Sequence, residues 1–291
     1  MNGMKKVWTY FLIGVLLQGG VYYYLDQVML APVSDYQVSS TKEETNSDFS
    51  VTPNGKAYYS HDRRYMAVLE NDKVAIYEAG SKEPPQYMQL KGRSVSYFEW
   101  LPDRNLAIVG IYGTNEDTGA YQVLMAQYNP ASPNHELDTE LEDVPRGSKI
   151  VDTAFSTATN VVYMKVEVDE GRYRIYRTDA NYDTRRIYVQ AERIGHIAVF
   201  YDEDRFFYDN LRTGEIYMFD GSTSGWRIIS PVGQYRLVGV DRNKDIYIAE
   251  MDGRDTVKAA YKGRLGEGFE KIATYQTPKP FAEITMDALK K

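Results

Sequence analysis

Three sets of side chains in this 291-residue chain have types and spacings that could do chemistry. The first is a pair of carboxylates, Glu99 beside Trp100, and Asp152, each on an apolar run that reads as an inner strand. Glycosidic hydrolysis needs such a pair. One carboxyl must stay protonated in an apolar setting, and an ionised partner must stand at a defined separation. The second is the stretch from Asp241 through Asn243 to Asp245, whose alternating oxygens match the opening of a calcium loop. Ile246 occupies the place of that loop's glycine, and Asp and Asn serve a tight hairpin equally well, so calcium is the secondary reading. The third is histidine: His61, His135 and His196 have no second His or Cys at metal-ligand spacing. His196 and Arg236 stand equally far ahead of the second strand of their respective repeats. If both line one channel mouth, they would contact an anionic group.

Other chemistries drop out. Asp202, Glu203 and Asp204 fall in a turn, where solvated charge is the ordinary explanation. The GSTSG stretch at 221–225 has Thr223 at its centre and no helix after it, so it is no nucleophile elbow. The chain has no cysteine, which removes disulfides, thiolate metal sites and cysteine nucleophiles. It contains no phosphate loop, dinucleotide fingerprint or zinc motif, and no cofactor is expected. A net charge of -7 argues against a nucleic-acid partner.

The elements that must position these residues repeat. Five times an apolar run meets a short polar turn and a second apolar run: YYSHDRRYMAVLE, FEWLPDRNLAIVG, TAFSTATNVVYMK, AVFYDEDRFFYDN and VGVDRNKDIYIAE. The second runs begin at Tyr65, Leu106, Val161, Phe206 and Ile246, roughly 40 to 55 residues apart, the length of a propeller blade. Within the fourth unit, HIAVFY, RFFYDN, EIYMFD and WRIIS read as four strands separated by Asp-, Gly- and Ser-rich turns. With 26 Tyr against 10 Phe and 3 Trp, the aromatic content favours pleated, half-buried surfaces. A four-stranded sheet has two apolar faces and covers neither alone; radial packing buries both. The expected fold is therefore all-β, a β-propeller of about five four-stranded blades. FAEITMD at 281–287 is expected to be a strand, either opening a sixth blade or closing the ring. The turn-rich stretches 113–119 and 129–140 are expected to be loops and a variable contact surface.

SHDRRYMAVLE and WLPDRNLAIVG resemble the strand–turn–strand of TolB-like propellers, where a Ser/Leu-Pro-Asp-Gly-type turn precedes an apolar strand. Arg64 and Asn105 stand for the usual Gly, and His61 for Pro. The motif is a fold signature, so the resemblance implies a propeller built for binding or assembly and transfers no catalytic residue.

Residues 7–25 carry no charge between Lys6 and Asp26 and, as a helix, would be about 28 Å long, close to the hydrocarbon thickness. Trp8 and Tyr10 at one end, and Tyr22, Tyr23 and Tyr24 at the other, suit the two interfaces. Lys5 and Lys6 keep the N-terminus cytoplasmic. A cleaved signal peptide is the rival, but Met29 and Pro32 around Ala31 make a poor cleavage site. The expected organisation is a cytoplasmic stub (1–6), a transmembrane anchor (7–25), a flexible linker (26–50) and an extracytoplasmic propeller (51–291), compatible with a bacterial cell envelope. The expected function is non-catalytic binding of another envelope or membrane protein, or of a cell-wall polymer. The alternative is a tethered glycoside hydrolase using Glu99 and Asp152.

Overall fold

Apolar runs bounded by turn residues become strands, and strands adjacent in sequence pair antiparallel. The computed structural model describes Gln18, Phe49 and residues 56–70, 73–133 and 137–290. The stub, nearly all of the anchor and of the linker, and His135 lie outside the described residues. No helix among the described residues is long and apolar enough to cross a membrane.

Blade 1 contains β1 (Lys56–Tyr59), β2 (Tyr65–Glu70), β3 (Lys73–Glu78) and β4 (Gln86–Tyr87). Blade 2 contains β5 (Ser94–Trp100), β6 (Ala107–Thr114), β7 (Tyr121–Tyr128) and β8 (Leu137–Glu140). Blade 3 contains β9 (Lys149–Ser156), β10 (Val161–Asp169), β11 (Arg172–Thr178) and β12 (Thr184–Ile187). Blade 4 contains β13 (Ile194–Val199), β14 (Arg205–Asn210), β15 (Ile216–Asp220) and β16 (Gly225–Ile228). Blade 5 contains β17 (Tyr235–Val240), β18 (Ile246–Met251), β19 (Thr256–Arg264) and β20 (Gly268–Pro280). Each of these sheets is four-stranded and built from consecutive strands, as a β-propeller requires.

The second strand of a blade has neighbours on both faces. In β14 every residue after Arg205 is buried, which is why Phe206, Phe207 and Tyr208 follow one another without alternation. Outer strands show the opposite: β20 is exposed or half-buried along its whole length. Apolar cores fill successive seams. Trp100 and Phe98 of blade 2 pack with Tyr65 and Ile76 of blade 1. Ile108 and Met125 meet Met164 and Tyr176 between blades 2 and 3. Tyr163 stacks on Phe206 at 4.3 Å between blades 3 and 4. Phe207 and Met218 meet Leu237 and Ile248 between blades 4 and 5.

The repeated turns close on their own aspartates. Asp62 accepts the Arg64 amide at 2.9 Å, while Arg63 takes the left-handed conformation at φ 60°. The left-handed position of this turn is therefore Arg63 and not Arg64. Asn105, the other expected substitute, has no positive φ; it donates to Asp62 at 2.8 Å and ties the turns of blades 1 and 2 together.

Two expectations need correction. Stretch 129–140 is not all loop, because Leu137–Glu140 forms the outer strand of blade 2 on β7. Stretch 281–287 is no strand. It makes a 3-10 turn, Phe281–Glu283, followed by α1 (Met286–Leu289), capped by the Thr285 hydroxyl accepting the Ala288 amide. Ile284, Phe281, Met286 and Leu289 cover Val238, Tyr247 and Ala249 on the face of blade 5 turned away from blade 4.

Candidate functional site

The first strands of the blades pack against one another in succession, β1 on β5, β5 on β9, β9 on β13 and β13 on β17. They therefore line the propeller axis. Four of them, β5, β9, β13 and β17, shift register against their second strand, between Val95 and Tyr97, at Lys165/Val166 opposite β9, between Ile194 and Ile197, and between Leu237 and Gly239. Such bulges re-aim side chains out of the pleat, and polar groups collect beside them.

Glu99 meets blade 3 at one end of this cluster. The Tyr97 hydroxyl donates to its carboxylate, and the Thr153 hydroxyl lies 3.4 Å from the same oxygen. Burial raises the Glu99 carboxyl above its ordinary value, against the pull of those two donors. Burial also raises Tyr97, with Glu99 beside it adding to the effect. Asp152, on the same strand as Thr153, is pushed up to about 6 by burial although the Lys165 ammonium opposes the shift. Lys165 is its direct cross-strand partner. The two carboxylates are close enough for Glu99 to raise Asp152 further.

Blades 3, 4 and 5 carry the chain of charge onward. Lys165 Nζ donates to the Gly195 carbonyl at 2.5 Å, and burial lowers the ammonium's pKa. His196, in the β13 bulge, is held down to about 4 by burial, then by Lys165 and Arg236. Glu99 and His196 each keep an exposed edge but have protein on their other sides, so water reaches them without solvating them well. The Arg236 guanidinium donates to Asp209 and lies 4.4 Å over the Phe281 ring. Asp209 is fully buried, which raises its pKa against the pull of Arg236, and its Oδ1 has no hydrogen-bond partner. Gly195 permits this packing: a Cβ there would collide with the Asp209 carboxylate.

Glu99, Asp152, His196 and Arg236 thus share one axial neighbourhood. Sequence reading missed Lys165, Asp209, Tyr97 and Thr153. The signal for the first two was a charge inside an otherwise apolar second strand, VVYMKVEV and RFFYDN. His61 is exposed in its turn. The calcium candidate comes apart. Asp241 Oδ1 accepts the amides of Asn243 at 2.9 Å and Asp245 at 3.0 Å, and both oxygens of Asp245 are bound at 2.6 Å, by Lys262 and by Arg264. Those carboxylates are committed to a turn and to cations of their own chain. No group of three or more acidic, His or Cys side chains suited to a metal occurs among the described residues.

No known protein-family profile matches the chain. Lysophospholipase nte1 of Aspergillus fumigatus is 38% identical over 79 residues, 27% of this chain and 5% of that protein. The counterpart in Neosartorya fischeri is 37% identical over 76 residues, 26% of this chain and again 5% of that protein. The matches therefore span a small fraction of either relative. Among solved structures, a protein described as TolB from Agrobacterium tumefaciens has a TM-score of 0.48 at 13% identity, covering 78% of this chain and 82% of that one. A luciferin-regenerating enzyme gives 0.47 at 12%, with 78% and 76% covered. TolB from Acinetobacter baumannii gives 0.43 at 12%, with 77% and 55% covered. Likeness at this level concerns fold, and no residue role is carried across from it.

Proposed function

We propose that the chain is a membrane-tethered, extracytoplasmic β-propeller that acts as a non-catalytic scaffold binding an envelope protein or a cell-wall polymer. One observation carries the non-catalytic part: Arg236, Lys165 and Glu99 are already engaged by other groups of the protein. Arg236 is bound to Asp209 across blades 4 and 5, and Lys165 to Gly195 across blades 3 and 4. Glu99 is bound to Tyr97 and faces Thr153 across blades 2 and 3. Breaking such a buried ion pair to admit a substrate leaves an uncompensated charge. The tether is supported by the uncharged aromatic-flanked segment 7–25. It would confine the propeller to the membrane surface and raise its effective concentration there.

A second reading is favoured by the shared position and raised pKa of Glu99 and Asp152: a tethered glycoside hydrolase. It ranks lower because the Glu99 carboxylate is already taken up by the Tyr97 and Thr153 hydroxyls, which compete with a leaving group for it. The test has two arms. In cells, the full chain is expected in the alkaline-carbonate membrane pellet with its propeller digestible only from outside, and a chain lacking residues 1–30 is expected in the soluble fraction. In vitro, chromogenic oligosaccharides are expected to give no turnover. Sustained turnover abolished by Glu99→Gln would replace the scaffold with the hydrolase.

A further inference from the structure

Blade 3 holds a second cluster, which adjoins the axial one through Tyr173, whose ring lies 4.5 Å from Lys165 Nζ. A cleft of about 430 Å³ opens where β10 ends and β11 begins, beside the end of β12, where the chain turns toward β13. Its volume is in the range that takes small ligands or a few units of a polymer. Arg172, Arg174, Arg186, Tyr173, Tyr188 and Glu192 are among its lining residues. Arg172 is already paired with Glu192 at 3.0 Å. Arg174 gives one donor to the Asp143 carbonyl at 2.7 Å, and Arg186 lies 4.7 Å over the Tyr188 ring. Among the described residues, neither Arg174 nor Arg186 has a carboxylate partner in an ion pair. These contacts hold the two guanidiniums in place and leave most of their donors unused, and a fork of that kind binds an oxyanion at two points. Tyr188 is 74% exposed, unusual for so large a ring. The lining sets Arg172, Arg174 and Arg186 against Asp169 and Glu192, a net charge of +1 on a chain of net charge -7.

We propose that this cleft binds an anionic polysaccharide, with Arg174 and Arg186 taking the oxyanion and Tyr188 offering its ring to the apolar face of a neighbouring pyranose. The paired requirement, a charge beside a flat apolar platform, is what separates an acidic sugar chain from a bare anion. The proposal names a ligand class for the scaffold above and rests on that reading only in treating the site as non-catalytic. The oxyanion can be a uronate carboxylate or a phosphodiester, and the experiment separates them.

Tetragalacturonate, a pyranose phosphodiester oligomer and neutral maltotetraose are titrated calorimetrically into the detergent-solubilised full chain at about 50 and about 300 mM salt. At least one acidic oligomer is expected to bind, more weakly at the higher salt, and maltotetraose is expected not to bind. Binding of one acidic oligomer alone assigns the oxyanion. The double change Arg174→Gln, Arg186→Gln is expected to weaken binding about tenfold or more with melting temperature unchanged, Lys73→Gln serving as the charge control. Tyr188→Ala is expected to weaken it too. Equal binding of maltotetraose, no binding by either acidic oligomer, or an unaffected arginine double variant overturns the proposal. Recovery of a shortened oligomer would sink the non-catalytic scaffold and leave the cleft standing; a retained membrane partner with no oligomer bound would sink the cleft alone.

Discussion

Asp152 and His196 pull the pH dependence of stability in opposite directions. The folded value of Asp152, about 6, lies above the ordinary 3.8, so between those limits the folded chain holds a proton that the unfolded chain has lost. Its contribution is therefore full below about pH 4 and is lost as the pH rises toward 6. His196 falls from 6.5 to about 4, so across that window the unfolded chain binds the extra proton. Its contribution is present above about pH 6.5 and is lost as the pH falls toward 4. Urea unfolding in steps from about pH 4 to about pH 6.5 should show stability rising more steeply with pH in Asp152→Asn than in the parent, and less steeply in His196→Gln. Equal slopes in all three proteins would mean that neither side chain is poorly hydrated at the axis. Sequence alone offered these two residues as candidates but not their surroundings. The β13 bulge that aims His196 and the Lys165 that faces Asp152 depend on strand register, which a one-residue slip would reverse.

Strand against helix was decided by what each segment packs on. The second strands were legible because burial on both faces favours an unalternating apolar run, as in FFY of β14. The stretch holding β8 was misread because that strand is short and polar, LDTE, and its place comes from pairing with β7 rather than from its own pattern. FAEITMD was misread because its apolar residues, Phe281, Ile284 and Met286, fit a pleat nearly as well as a turn of helix. The Thr285 cap decides the matter locally, and the waiting face of blade 5 decides it globally. Ending the chain after Pro280 should uncover Val238, Tyr247 and Ala249. The expected cost is about 2–4 kcal/mol, read as a lower urea midpoint together with new binding of a hydrophobic dye. A truncated chain with the parent's midpoint would mean that the cap contributes nothing.

Blades communicate through their seams, because each sheet is made of consecutive strands and the blades are joined by packing and by side-chain bonds. Asp209 and Arg236 form one such bond, between blades 4 and 5, with the carboxylate fully buried. Asp209→Ala should cost about 3–5 kcal/mol by stranding the guanidinium. Hydrogen exchange should speed up in blades 4 and 5 and stay unchanged in blades 1 and 2. Uniform acceleration across the molecule would show instead that the propeller opens as one unit. The five-blade count was legible from repeat spacing, since each unit supplies its own four strands. That same property has a consequence for descent. The stretch of gene that encodes one blade also encodes every backbone hydrogen-bond partner inside it, so duplication or loss of a whole repeat leaves each remaining sheet complete. Recombination between repeats then alters the circumference and spares the fabric, and the number of blades becomes a trait that can drift while the blade itself is kept.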